Sequence, residues 1–87
     1  MYFIVVYDAD ASRVNKLHKF LRCYFHWMQN SVFEGEIGKR DFSDVMKGVK
    51  KIIEGNDSVI FYDVRGGKNA LNRWCLGRER KISLILE

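Results

Sequence analysis

Proline is absent from this chain, and cysteine occurs only twice, as Cys23 and Cys75. Without proline, low-complexity stretches or an internal repeat, nothing marks a linker, so residues 1–87 read as one domain. The two cysteines form no Cys-x-x-Cys pair, which excludes the common zinc and dithiol motifs. Both read as reduced, partly buried packing residues. His18 and His26 share no metal-binding spacing with Cys or Asp. No apolar segment approaches the roughly 20 residues needed to cross a bilayer, and the N-terminus lacks the features of a signal peptide. The expected location is therefore cytoplasmic, without membrane association. Also missing are a Ser-His-Asp set, a cysteine beside a suitable base, a phosphate loop and a dinucleotide fingerprint. These absences argue against conventional small-molecule catalysis. Gly66-Gly67-Lys68 follows a late strand without the rest of a phosphate-binding motif and reads as a turn.

What the chain does have is apolar and basic. Hydrophobic residues make up 47% and aromatics 14%, enough to exclude disorder. A domain of this length buries only about 60–65% of its unfolded surface, so a partner would add usefully to its core. Fifteen Lys and Arg against eleven acids give a net charge of +4, which suits nucleic acid without requiring it.

Tyr2 to Asp8 is an almost wholly apolar run rich in β-branched and aromatic residues, and it predicts a buried central strand ending on a carboxylate. Val14, Leu17, Leu21 and Tyr24 then recur at helical spacing, predicting a helix over 11–25 capped by Asp10 or Ser12. Trp27 to Ile37 predicts a bent or bulged strand pair interrupted at Asn30 and Ser31, with Gly35 at a bulge or a close backbone approach. Phe42, Val45, Met46, Val49, Ile52 and Ile53 form the clearest amphipathic stripe, opposite Lys47, Lys50, Lys51 and Glu54. Gly55 suits the left-handed cap of that helix, and Val59 to Val64 predicts a strand pairing beside the first.

The order β, α, β, β, α, β with right-handed crossovers predicts an α+β, ferredoxin-like sandwich, one antiparallel sheet with both helices on one face. Trp74 to Leu76 and Ile82 to Leu86 are additional short strands. The core is expected over about 1–76. The remainder, about 77–87, needs a sheet edge that a two-fold partner could provide, so a homodimer is expected.

The acids at strand ends are Asp8, Asp10 and Asp63, of which Asp10 reads as a cap. One carboxylate per chain is too little for a hard cation. Asp8 from two copies could hold one Mg²⁺ or Mn²⁺ across a dimer axis and so support in-line attack on a phosphodiester. Arg13, Lys16, Lys19 and Arg22 fall on the polar side of the first helix, and Arg13 is nearest Asp8 for approaching a bound phosphate.

Tyr-x-Ile-Val-Val-Tyr-Asp at positions 2–8, Arg13-Val14, Gln29-x-Ser31-Val32-Phe33-Glu34-Gly35 and Leu76-Gly77 together resemble the CRISPR-associated protein two family. The resemblance implies a ferredoxin-like homodimer whose C-terminal strands add to the partner's sheet, acting in spacer acquisition beside the CRISPR integrase. Members act as metal-dependent endonucleases on RNA or DNA, or as non-catalytic adaptors that bind duplex DNA and bridge integrase units. Asp8 matches the family's catalytic, metal-binding aspartate. Tyr7, Arg13, Ser31 and Phe33 match positions around it and, with Lys16, form the expected nucleic-acid-binding set. The expected partners are a second copy of the chain, the integrase, and duplex DNA or single-stranded RNA. A lone RNase toxin is a third reading, which a toxin–antitoxin gene neighbourhood would favour.

Overall fold

A computed structural model of the chain describes residues 1–65 and 72–79. The apolar run forms β1 (Tyr2–Asp8), with the bounds its composition predicts. It is followed by α1 (Ala11–Arg22), β2 (His26–Gln29), β3 (Val32–Glu36), α2 (Lys39–Ile52), β4 (Ser58–Asp63) and β5 (Asn72–Gly77). The sheet order is β2-β3-β1-β4-β5, and every neighbouring pair is antiparallel. This is the expected ferredoxin-like arrangement, with one further strand at the β4 edge.

Alternation along β1 divides its two faces. Phe3, Val5 and Tyr7 are buried and join Leu17, Leu21, Val45, Val49 and Phe61 in a single core between sheet and helices. Ile4 and Val6 lie on the opposite face. Their register partners there are Glu34 and Val32 on one side, Tyr62 and Ile60 on the other.

Several local expectations are corrected. Helix α1 stops at Arg22 rather than Phe25, because Cys23 N–H and Tyr24 N–H turn back to Phe20 and Leu21 carbonyls at 3.1 and 3.0 Å. The tightened end drops Phe25 into the core. Gly35 faces it, and a Cβ there would sit in ordinary contact, 3.4 Å from the Phe25 ring and 3.5 Å from its Cα. Gly35 thus marks a close approach, while the bulge lies between Trp27 and Gln29 in β2. Cys23 is exposed rather than partly buried. Gly55 does adopt a left-handed conformation, φ +60°, but α2 has already ended and the residue serves the following turn. That turn is closed by Asp57 N–H donating to Glu54 O at 3.1 Å. Gly66, Gly67, Lys68 and Asn69, and the strand expected over Ile82 to Leu86, lie outside the described residues.

A candidate carboxylate site at the end of the first strand

The C-terminal end of β1 is where the chain gathers its polar chemistry. The β2–β3 turn, the start of α1, the end of α2, the start of β4 and the end of β5 all lie at this end of the sheet. An open cavity of about 400 Å³ is lined by Asp8, Ala9, Asp10, Arg13, Asn56 and Asp57.

Asp8, the last residue of β1, is exposed and stands in register with Ser58 of β4. Two residues later Asp10 caps α1. Its side chain accepts from Ser12 N–H at 3.0 Å and Ser12 Oγ–H at 2.6 Å, and these bonds hold its carboxyl below the usual range. The capping role expected of Asp10 is therefore its role in the fold.

In the sequence Asp57 reads only as part of a helix ending; in the fold it is the centre of the site's polar network. Its side chain is 2% exposed, and it accepts from four donors. Asp10 N–H reaches Oδ1 at 2.9 Å, Glu54 N–H reaches Oδ2 at 3.1 Å, Arg13 Nη2 reaches Oδ1 at 3.1 Å, and Arg13 Nε closes the pair on Oδ2. The two-armed grip is the strong form of an Arg–carboxylate contact. The Arg13 hydrogen bonds, aided by the two backbone N–H groups, outweigh desolvation and push the Asp57 carboxyl well below the ordinary carboxylate range. Arg13 in turn is raised, chiefly by Asp57, with Glu54 3.5 Å from Nη1.

These contacts sort the residues singled out from the sequence. Asp8, Asp10 and Arg13 are brought together. Arg13, however, is committed to Asp57 rather than held ready for a phosphate. Tyr7 is 6% exposed, and burial pushes its hydroxyl pKa up, so it stays protonated across the neutral range. Ser31 sits in the β2–β3 turn, where its carbonyl accepts Tyr7 N–H at 3.1 Å, close behind Asp8. Phe33 is corrected outright. It is fully buried, 6.2 Å from the Tyr7 ring, and supports the core instead of presenting a face to bases. Lys16 is exposed on α1 and lines no part of the cavity. Asp63 lies at the far end of β4, where it accepts Arg65 N–H at 3.1 Å.

The chemistry of the donor set decides how a divalent ion could be held. Asp10 is engaged by its cap and Asp57 by Arg13, and Asp8 is the third carboxylate lining the cavity. No group of three His, Cys, Asp or Glu side chains suited to a metal occurs among the described residues. A hard cation prefers several oxygen ligands, so the residues fit an ion shared between two copies better than one held by a single chain.

Residues 1–70 match the family model described as CRISPR associated protein Cas2. The chain belongs to the Cas2 family. Among curated Cas2 proteins, the CRISPR-associated endoribonuclease Cas2 of Pyrococcus furiosus is 54% identical over 75% of this chain and 78% of its own length. The Methanothermobacter thermautotrophicus protein of the same name is 42% identical over 99% of this chain and 96% of its own. Solved Cas2 structures agree in fold. One titled "Crystal structure of cas2" superposes with a TM-score of 0.70 at 48% identity, covering 71% of each chain. Cas2 of Streptococcus pyogenes, crystallised at pH 6.5, gives 0.68 at 32% identity over 79% of this chain and 89% of its own. The family resemblance read from the Tyr-Asp strand and the Gln-x-Ser-Val-Phe-Glu-Gly segment is thereby established.

Proposed function

We propose that this Cas2-family chain is a homodimeric, metal-dependent phosphodiester endonuclease of CRISPR spacer acquisition, acting on RNA or DNA beside the CRISPR integrase. The observation that carries the reading is Asp8, an exposed carboxylate that closes a buried strand and lines the cavity. The names of the relatives, as endoribonucleases, favour RNA as a substrate.

The dimer is supported by the sheet face turned away from the helices. It carries Ile4, Val6 and Val32, which are half-buried in the single chain, and Ile60, which is 7% exposed there. Pairing that face about a two-fold axis would remove apolar surface from water and bring Asp8 from each copy towards the axis. Mg²⁺ or Mn²⁺ held by the two Asp8 carboxylates would lower the pKa of bound water and offset charge on the phosphodiester. The chain's own part is to supply the Asp8 carboxylate oxygens at the end of β1. Lys16 contributes an exposed cation on α1.

A second reading has its own observation. Lys16, Lys19 and Arg22 on α1 and Lys47, Lys50 and Lys51 on α2 are all exposed, a spread of cations suited to the phosphates of duplex DNA. A non-catalytic adaptor bridging integrase units would need these and not Asp8. Asp8→Asn separates the two. An endonuclease loses Mg²⁺-dependent cleavage of single-stranded RNA or duplex DNA and retains binding. An adaptor supports spacer integration as well as wild type does, and full metal-dependent cleavage by the purified variant would remove Asp8 from the chemistry.

A further inference from the structure

The ion pair beneath the site is more elaborate than a helix start requires. Asp10 already caps α1 through its own side chain, so the helix would begin without Asp57. Desolvating a carboxylate and a guanidinium is costly, and an apolar pair of similar volume often serves stability equally well. What a buried, two-armed pair adds over an apolar contact is direction. Here the direction is imposed on a very short connection, since only Ala9 and Asp10 lie between the end of β1 and the start of α1.

That connection is pinned from both sides. Asp10 carboxylate reaches forward to Ser12, while Asp10 N–H reaches back to Asp57 Oδ1 at 2.9 Å. Asp57 precedes Ser58, the register partner of Asp8, so the strand pairing and the carboxylate act on neighbouring points of one short path. Arg13, one turn into α1, ties the helix to the same carboxylate. Asp57 is itself held from behind. Its carbonyl accepts Arg78 N–H at 2.9 Å, and it packs so closely on Gly77, φ +84°, that a Cβ there would collide with it.

We propose that Asp57 is a positioning residue for Asp8, fixing through Asp10 N–H and Arg13 the direction in which the Asp8 carboxylate leaves the sheet. The inference rests on the reading of Asp8 as a cation ligand. Asp57 touches neither substrate nor ion; it sets the loop that carries the ligand, as outer-shell hydrogen bonds set metal ligands elsewhere.

The test is Mn²⁺ affinity, measured by electron paramagnetic resonance of the free ion on full-length wild type, Asp57→Asn and Arg13→Lys, with duplex DNA binding followed in parallel. Asn keeps an oxygen for one of the two backbone donors, and it loses the charge and half of the grip on Arg13. Mn²⁺ binding should weaken by about 10–100-fold in Asp57→Asn, the range for losing an outer-shell partner, and by less in Arg13→Lys. DNA affinity should stay within about twofold of wild type, because the exposed lysines of α1 and α2 are untouched. A folded Asp57→Asn protein with wild-type Mn²⁺ affinity overturns the proposal. If that variant does not fold, Arg13→Lys decides by the same criterion, since it keeps a cation opposite Asp57 and removes only the second arm. Wild type that binds no Mn²⁺ removes the ligand reading and the proposal together, and that failure shows before any variant is examined.

Discussion

The two ends of β1 are built on opposite principles. At its start, Phe3 is stacked on Phe42 with ring centroids 4.7 Å apart and meets Phe61, Phe25 and Trp74 edge-on at 6.1, 6.3 and 5.7 Å. These contacts are apolar, and their strength comes from burial and ring geometry. At its finish, Asp8 is exposed, while Asp57 beside it is buried under four hydrogen bonds. The aromatic end makes the domain stable. The carboxylate end makes a point on its surface definite. One strand of seven residues joins them, so a mutation at either end tests whether stability and chemistry are separable.

The largest effect is expected at the aromatic end. Phe3→Ala removes a fully buried ring and should cost about 3–5 kcal/mol in urea unfolding, a large share of what so small a domain possesses. Cleavage per folded molecule should change little, because Phe3 is remote from the cavity. A variant that unfolds no more easily than wild type would mean that the stacked cluster is not the foundation of the core.

The next effect belongs to the carboxylate end and depends on pH. The carboxyl of Asp57 lies below its ordinary value of 3.8 in the folded chain, so its contribution is complete above the unfolded value and is lost as pH falls below it. Asp10, lowered by Ser12, acts in the same sense. Wild type should therefore lose stability steadily as pH is taken from 5 towards 2, on a scale of roughly two to three pH units around the usual carboxylate range. Asp57→Asn should flatten that decline and be weaker at neutral pH. Parallel urea midpoints for the two proteins across this window would break the account of the ion pair.

A smaller effect is expected on nucleic-acid binding. If a dimer engages about six phosphates, the logarithm of the association constant should fall with log salt at a slope near −5, and Lys16→Ala should make that slope shallower by about one unit for each phosphate left without its lysine. Phe33→Leu should leave it unchanged, since its ring is enclosed. A slope near zero would return the exposed lysines of α1 and α2 to ordinary surface.

The smallest belongs to the cap. Ser12→Ala removes the Oγ–H bond to Asp10 but leaves the backbone N–H bond in place, and should cost no more than about 0.5 kcal/mol at this exposed position. A larger loss would mean that the cap, and not Asp57, holds the loop.

How much of this is legible in the sequence follows the range of the interactions. β1 is readable to the residue because its apolar run breaks at Asp8, and α2 is readable as a helix, though its end is not, because its stripe keeps one period throughout. The end of α1 is not, since Tyr24 and Phe25 continue the apolar stripe while the backbone has already tightened. Asp8 is visible as an acid closing an apolar strand. Asp57, an acid just ahead of the apolar strand Ser58–Asp63, carries a similar signal but reads in the sequence only as part of a helix ending. That the partner is Arg13, 44 residues earlier, has no local signature. For the same reason Arg13 looks available to a phosphate, since the carboxylate that claims it is distant in sequence. Phe33 belongs to the most specific stretch of the family resemblance, and only the fold shows that its ring is fully buried.

The central claim is that Asp8 from two chains holds one divalent ion, and its most direct test is stoichiometric. Mn²⁺ titrated into the wild-type protein by calorimetry should saturate at one ion per two chains, and Asp8→Asn, dimeric by ultracentrifugation, should show no such binding. One ion per chain, or the same isotherm from Asp8→Asn, would contradict the account.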